Sequence, residues 1–176
     1  MTVLEEVILV NELDEVLGRM EKIRAHKEAL LHRAFSVFIF DTKDRMLLQQ
    51  RAHTKYHSGG LWTNACCSHP KPEEDTEQAV QRRLQEEIGF QTPVKKAFDF
   101  IYKASFENGL QEHEFDHVYI GRYDGPIQVN PNEVADYVYL ETKTIEKLLK
   151  STPSNFTAWF HLALPKVISW KEKYKQ

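Results

Sequence analysis

Apolar residues in this chain come in short runs bounded by turn formers, and their spacing switches between the alternation of strands and the three-to-four repeat of helices. Val7, Ile8, Leu9 and Val10 read as a short strand, and a polar turn then leads to a helix predicted over residues 19–30. Residues 33–41 gather Phe35, Val37, Phe38, Ile39 and Phe40, an aromatic and β-branched set that reads as a buried strand. Thr42, Lys43 and Asp44 turn it into residues 46–51, which predicts a hairpin. Residues 52–72 have no regular period and contain Gly59, Gly60, Pro70 and Pro72, so a long loop of the functional kind is expected there.

Helical spacing returns with Ala79, Val80, Leu84 and Ile88 on one face, capped by Asp75 or Thr76 and stopped by Gly89. Two extended segments, 97–106 and 112–123, are joined through Asn108 and Gly109. A strand over 137–140 and helices over 144–149 and 158–174 complete the chain. The sum is a mixed α/β (α+β) fold whose strands outnumber the helices covering them. With 176 residues, no repeat and no linker rich in Pro, Gly or Ser, a single domain over 1–176 is expected.

Composition narrows the class. A 41% hydrophobic and 28% charged chain suits an ordinary globule, and no apolar run nears the ~20 residues of a membrane span. The net charge of −3 offers no footprint for nucleic acid. Acids surround the N-terminal apolar patch, unlike a secretory leader. The two cysteines, Cys66 and Cys67, are neighbours and poorly placed to pair with each other. A reducing, cytoplasmic setting follows, with neither membrane nor nucleic acid as partner. Oligomeric state is not encoded legibly, and one subunit suffices to build a pocket.

Chemistry concentrates in residues 62–90. Cys67 and His69 stand just before a helix on which Arg83 meets Glu87 and Arg82 meets Glu86. Later, Glu112 and Glu114 share one face of a strand while His113, Phe115 and His117 take the other. Two carboxylates held so close push one towards its protonated form unless a cation neutralises them.

Residues 68–90 resemble the Nudix signature: Glu74, Arg82, Leu84, Glu86, Glu87, Gly89 and Phe90 match it. Ser68 stands where the signature has its first glycine, and Arg83 where it has the glutamate that follows the arginine. A guanidinium cannot ligate a cation but binds phosphate through two hydrogen bonds, so this exchange favours holding a diphosphate over cleaving it. From Lys22 to about Trp159 the chain is similar to the type I isopentenyl-diphosphate isomerases, through LHRAFSVFIF, QQRA, LWTNACCSHP, RRLQEEIGF, YKASF, QEHEFDHV and FTAW.

That resemblance implies a Nudix-like mixed sheet covered by helices, and a double-bond shift from isopentenyl to dimethylallyl diphosphate through a tertiary carbocation. It implies that Cys67 and Glu114 flank the substrate as proton carriers, with Tyr102 beside Glu114 and the π face of Trp159 towards the cation. Lys22, Arg51, Lys55 and Arg83 are the implied diphosphate clamps. Mg²⁺ is expected with the diphosphate at Glu87 and the backbone carbonyl of Cys67. A second divalent cation, Mn²⁺, Zn²⁺ or Mg²⁺, is expected at His26, His32, His69, Glu112 and Glu114. His53, His57, His113, His117 and His161 rank below these as ligands, and Cys66 is expected to be packing. The pocket around the five-carbon tail is expected to be closed and apolar. Which of Cys67 and Glu114 gives the first proton stays open. Hydrolysis of a nucleoside or other diphosphate is the rival chemistry, and a zinc-stabilised binding module the rival outside enzymology.

Overall fold

The computed structural model describes residues 4–174. At its centre runs β3 (His32–Phe40), whose side chains are almost all buried because both faces of the strand are covered. One edge of β3 pairs in parallel with β8 (Gln111–Arg122), from His32 opposite Glu114 to Phe40 opposite Arg122. Its other edge is shared by β1 (Glu6–Val10), β6 (Cys66–Ser68) and β4 (Met46–Arg51) at successive points. β2 (Val16–Glu21) extends the sheet beyond β1, and β7 (Val94–Ser105) lies antiparallel outside β8. β4 is flanked by β5 (Trp62–Asn64) and β9 (Val134–Leu140).

The period of two along β3 sorts its side chains between two cores. Phe35, Val37 and Ile39 pack with Cys66 against Ala79, Val80, Leu84 and Ile88 of α2 (Thr76–Ile88). Phe38 and Phe40 pack on the other face with Ile145 of α3 (Thr142–Ser151) and with Trp159, Phe160 and Leu164 of α4 (Ala158–Lys173). Cys66 and Cys67 therefore point to opposite cores, and Cys66 is packing as expected.

The cap of α2 is Asp75, not Thr76: the Asp75 carboxylate accepts the amides of Glu77 and Gln78 at 2.9 and 3.3 Å. It ends at Gly89, whose φ of 78° is left-handed. Among the described residues no helix is long and apolar enough to cross a membrane.

Three expectations need correction. The helix placed at 19–30 is only α1 (Lys22–Lys27), because β2 runs to Glu21 and that residue caps α1. Val16 and Leu17 on β2 are exposed, so this strand is held by backbone pairing and shows no apolar alternation to read. The loop at 52–72 contains β5 and β6, each three residues long and too short for a period to register. The hairpin of β3 and β4 exists at one pair, Phe40 with Met46, beyond which β6 takes the edge of β3.

Candidate active site

Four strands bring the chemistry to one face. Because β8 is in register with β3 and β7, Tyr102, Glu114 and His32 form one row across three strands. β6 sets Cys67 opposite Ser36 farther along β3. Lys22, Arg51, Lys55, Tyr56, His57, Cys67, Ser68, His69, Arg83, Tyr102, Glu112, Glu114 and Trp159 line a single cleft of about 440 Å³ of empty space. All four predicted clamps, the three residues expected in proton transfer (Cys67, Glu114 and Tyr102) and Trp159 are therefore on one wall or another of it. His26 and His32 lie against it, their rings 5.7 and 5.0 Å from that of His69. The expected apolar pocket is not what the lining shows. Charged and polar groups dominate, and the Trp159 indole is the chief apolar wall.

The Cys67 thiol is held from several sides. It lies 3.0 Å from the Asn64 side-chain oxygen, and the Trp159 indole N–H donates to its sulfur at 3.1 Å. Ser36 Oγ stands 3.7 Å from the sulfur and donates to Asp116 at 2.7 Å. Burial pushes the thiol well above its ordinary value, so it keeps its proton. Burial, with the Glu114 charge added, likewise raises the Asp116 carboxyl.

The two glutamates behave as an unequal pair. The Tyr102 hydroxyl lies 2.9 Å from Glu112 and 2.6 Å from Glu114, tying them together. Burial, then the Glu114 charge, raises Glu112. Burial acts on Glu114 too, but His32 and His69 override it and hold that carboxyl well below the ordinary range. Proton affinities pushed apart in this way mark candidate acid and base partners. His69 Nε2 is 2.9 Å from Glu114, while His32 Nε2 is 3.6 Å away, too long for a hydrogen bond. Burial lowers His26 to about 4, helped by His32, and lowers His69 to about 4 against the pull of Glu114.

The ligand atoms of His26, His32, His69 and Glu114 lie within 4.8 Å of one another. Buried nitrogens of His26, His32 and His69 have no hydrogen-bond partner, a costly state that a cation relieves. The donor set of imidazoles and carboxylate suits a divalent cation.

At the other end, Arg83 reaches Glu87 at 2.6 Å, Glu86 at 2.7 Å and Glu133 at 3.3 Å, and Lys55 meets Glu133 at 2.6 Å. Lys22 pairs with Glu5 at 3.0 Å. The second Glu87 oxygen accepts from Gln49 Nε2 at 2.8 Å, and the same Gln49 nitrogen donates to the Ala65 carbonyl at 2.7 Å. Glu87 is outside the cleft lining, one step behind Arg83.

Sequence reasoning missed His57, Ser36, Asp116, Asn64, Gln49 and Glu133. Asp116 alone carried a readable signal, since it shares the strand parity of Glu112 and Glu114.

The family model for the NUDIX domain matches residues 30–160. An isopentenyl-diphosphate Delta-isomerase of Burkholderia multivorans is 50% identical over 157 residues, covering 89% of this chain and 89% of its own. That of Pectobacterium atrosepticum is 47% identical over 172 residues, covering 98% and 96%. The chain belongs to the isopentenyl-diphosphate Delta-isomerases of the NUDIX family. Among solved structures, a Deinococcus radiodurans protein superimposes with a TM-score of 0.75 at 19% identity, over 92% of this chain and 98% of that one. The MutT protein of Methanosarcina mazei gives 0.65 at 17% identity, over 83% and 96%. Both likenesses concern the fold alone.

Proposed function

We propose that this protein, acting as one Nudix-like domain, converts isopentenyl diphosphate to dimethylallyl diphosphate. The observation that carries the reading is that Cys67 and the Glu114–Tyr102–Glu112 array line one cleft together with the cations Lys22, Arg51, Lys55 and Arg83. One carrier adds a proton to the terminal methylene carbon, leaving a tertiary cation. The other removes a proton from the allylic carbon, so the double bond moves and no net proton is consumed. Trp159 presents its π face to the transient cation.

Arg51, Lys22, Lys55 and Arg83 hold the diphosphate, with the two arginines suited to forked contacts on phosphate oxygens. Arg83 and Lys55 are neutralised by Glu87 and Glu133 until a dianion arrives to compete for them. Glu87 and the Cys67 carbonyl would hold a Mg²⁺ that arrives with the diphosphate. His26, His32, His69, Glu112 and Glu114 would hold a second ion, Mn²⁺, Zn²⁺ or Mg²⁺, which supplies fixed positive charge that keeps Glu114 in place. Hydrolysis is the poorer reading, because Arg83 takes the place of a carboxylate that would hold metal.

Purified protein supplied with isopentenyl diphosphate and Mg²⁺ is expected to form dimethylallyl diphosphate. Cys67→Ala and Glu114→Gln are each expected to abolish turnover while substrate still binds. No product from the parent sinks the function, and undiminished turnover in the variants sinks the assigned roles.

A further inference from the structure

On sequence His57 ranks below His26, His32 and His69 as a ligand, yet it repeats features of the expected metal ligands. Its side chain is 2% exposed and its ring stacks on Phe106 with centroids 4.3 Å apart. His26 and His32 each direct Nδ1 to a backbone carbonyl, Lys22 at 2.7 Å and Leu30 at 2.8 Å, which puts the proton on Nδ1 and leaves Nε2 a bare lone pair. His57 Nδ1 is likewise occupied, 3.1 Å from Ser58 Oγ, a hydroxyl that can accept the Nδ1 proton. Its Nε2 is buried with no hydrogen-bond partner, like the Nε2 atoms of His26 and His32. It sits 3.2 Å from Glu112 Oε1 without hydrogen-bond geometry.

The ligand atoms of His26, His57 and Glu112 form a second group within 4.8 Å of one another, beside that of His26, His32, His69 and Glu114. The two groups share His26, which has one free nitrogen. A single lone pair binds a single ion, so the groups describe one centre and not two. With metal–ligand distances of about 2.1 Å, opposite donors of a six-coordinate ion lie about 4.2 Å apart, close to the spread within each of the two groups, which close on one ion through the His26 they share.

We infer that His57 is a sixth protein ligand of this centre, joining His26, His32, His69, Glu112 and Glu114 around one divalent cation. The inference rests on the reading of the His/Glu cluster as a metal centre. Its chemical sense lies in what a filled shell excludes. Four imidazoles and two carboxylates leave no position for a bound water, and a metal-bound water beside a carbocation would be a ready quencher. The ion then acts as fixed charge and as a brace for Glu112 and Glu114.

The test is a long-range proton–nitrogen spectrum of the histidine rings in ¹⁵N-labelled full-length protein loaded with Zn²⁺, with His57 assigned by comparison with His57→Gln or His57→Ala. Coordination is expected to leave Nε2 of His26, His32 and His57 without protons and shifted together on loading. In chelator competition the His57 variants are expected to hold Zn²⁺ at least about tenfold more weakly. Suppose His26 and His32 shift on loading while His57 Nε2 carries a proton directed at Glu112: the inference then fails and the metal centre stands. If no ring responds to Zn²⁺, both fall. The parent spectrum decides between these outcomes even when a variant folds poorly.

Discussion

Replacing Trp159 by Phe separates what the indole does in the reaction from what it does in the core. The ring is 2% exposed, packs with Phe156 and Phe160, and donates its N–H to the Cys67 sulfur at 3.1 Å. Its face already attracts a cation, since the Arg51 guanidinium carbon lies 5.2 Å from the ring. A phenyl ring keeps a π face and most of the packing but has no N–H and a weaker quadrupole. A cation on a desolvated indole is worth about 2 kcal/mol, and losing half of that costs about 1 kcal/mol. The bond to sulfur is already made in the resting protein, so the barrier should rise by about 1 kcal/mol and kcat fall by about fivefold. KM should stay within about threefold, because the cation exists only during the reaction and the ground-state diphosphate is held elsewhere. Steady-state kinetics on isopentenyl diphosphate measure both constants. A urea titration sets a temperature at which the variant is folded, since shrinking a buried ring costs stability as well. Unchanged kcat, or a loss that resides wholly in KM, would refute the placing of the cation on this ring.

Two further predictions concern the scaffold. Arg82 grips Glu74 with two bonds of 2.7 and 2.8 Å and holds its carboxyl below the ordinary 4.5. A depressed carboxylate contributes stability above its unfolded value and loses it as pH falls through the folded one. Glu74→Gln should therefore cost about 1 kcal/mol at pH 7 after solvent screening, and the gap from the parent should close as pH drops below 4.5. Urea titrations at neutral and acid pH test this, and a gap of constant size removes the ion pair as its cause. Gly89→Ala forces a left-handed φ of 78° on a residue whose Cβ would stand 2.5 Å from the Gln128 carbonyl oxygen. A loss of about 2–4 kcal/mol is expected from strain plus displaced backbone, and thermal unfolding within the error of the parent would contradict it.

Local pattern alone determined much of this protein. The spacing of Ala79, Val80, Leu84 and Ile88 gave a helix with its caps, because an amphipathic helix is written within one stretch of chain. Strand parity placed Glu112 with Glu114, and motif position singled out Cys67; the two faces of β6 send Cys66 into the α2 core and Cys67 towards Trp159. Tertiary structure decided what depends on contact between distant segments. β2 is held by backbone bonds with Val16 and Leu17 exposed, and β5 and β6 are too short to carry a period. His57 meets Glu112 across 55 positions of chain, Ser36 meets Asp116 across 80, and Glu133 bridges Lys55 and Arg83 from a loop. No spacing rule reaches so far. Burial and pairing set the proton affinities of Glu112 and Glu114 in opposite directions, and both are properties of the folded sheet that the order of residues does not display.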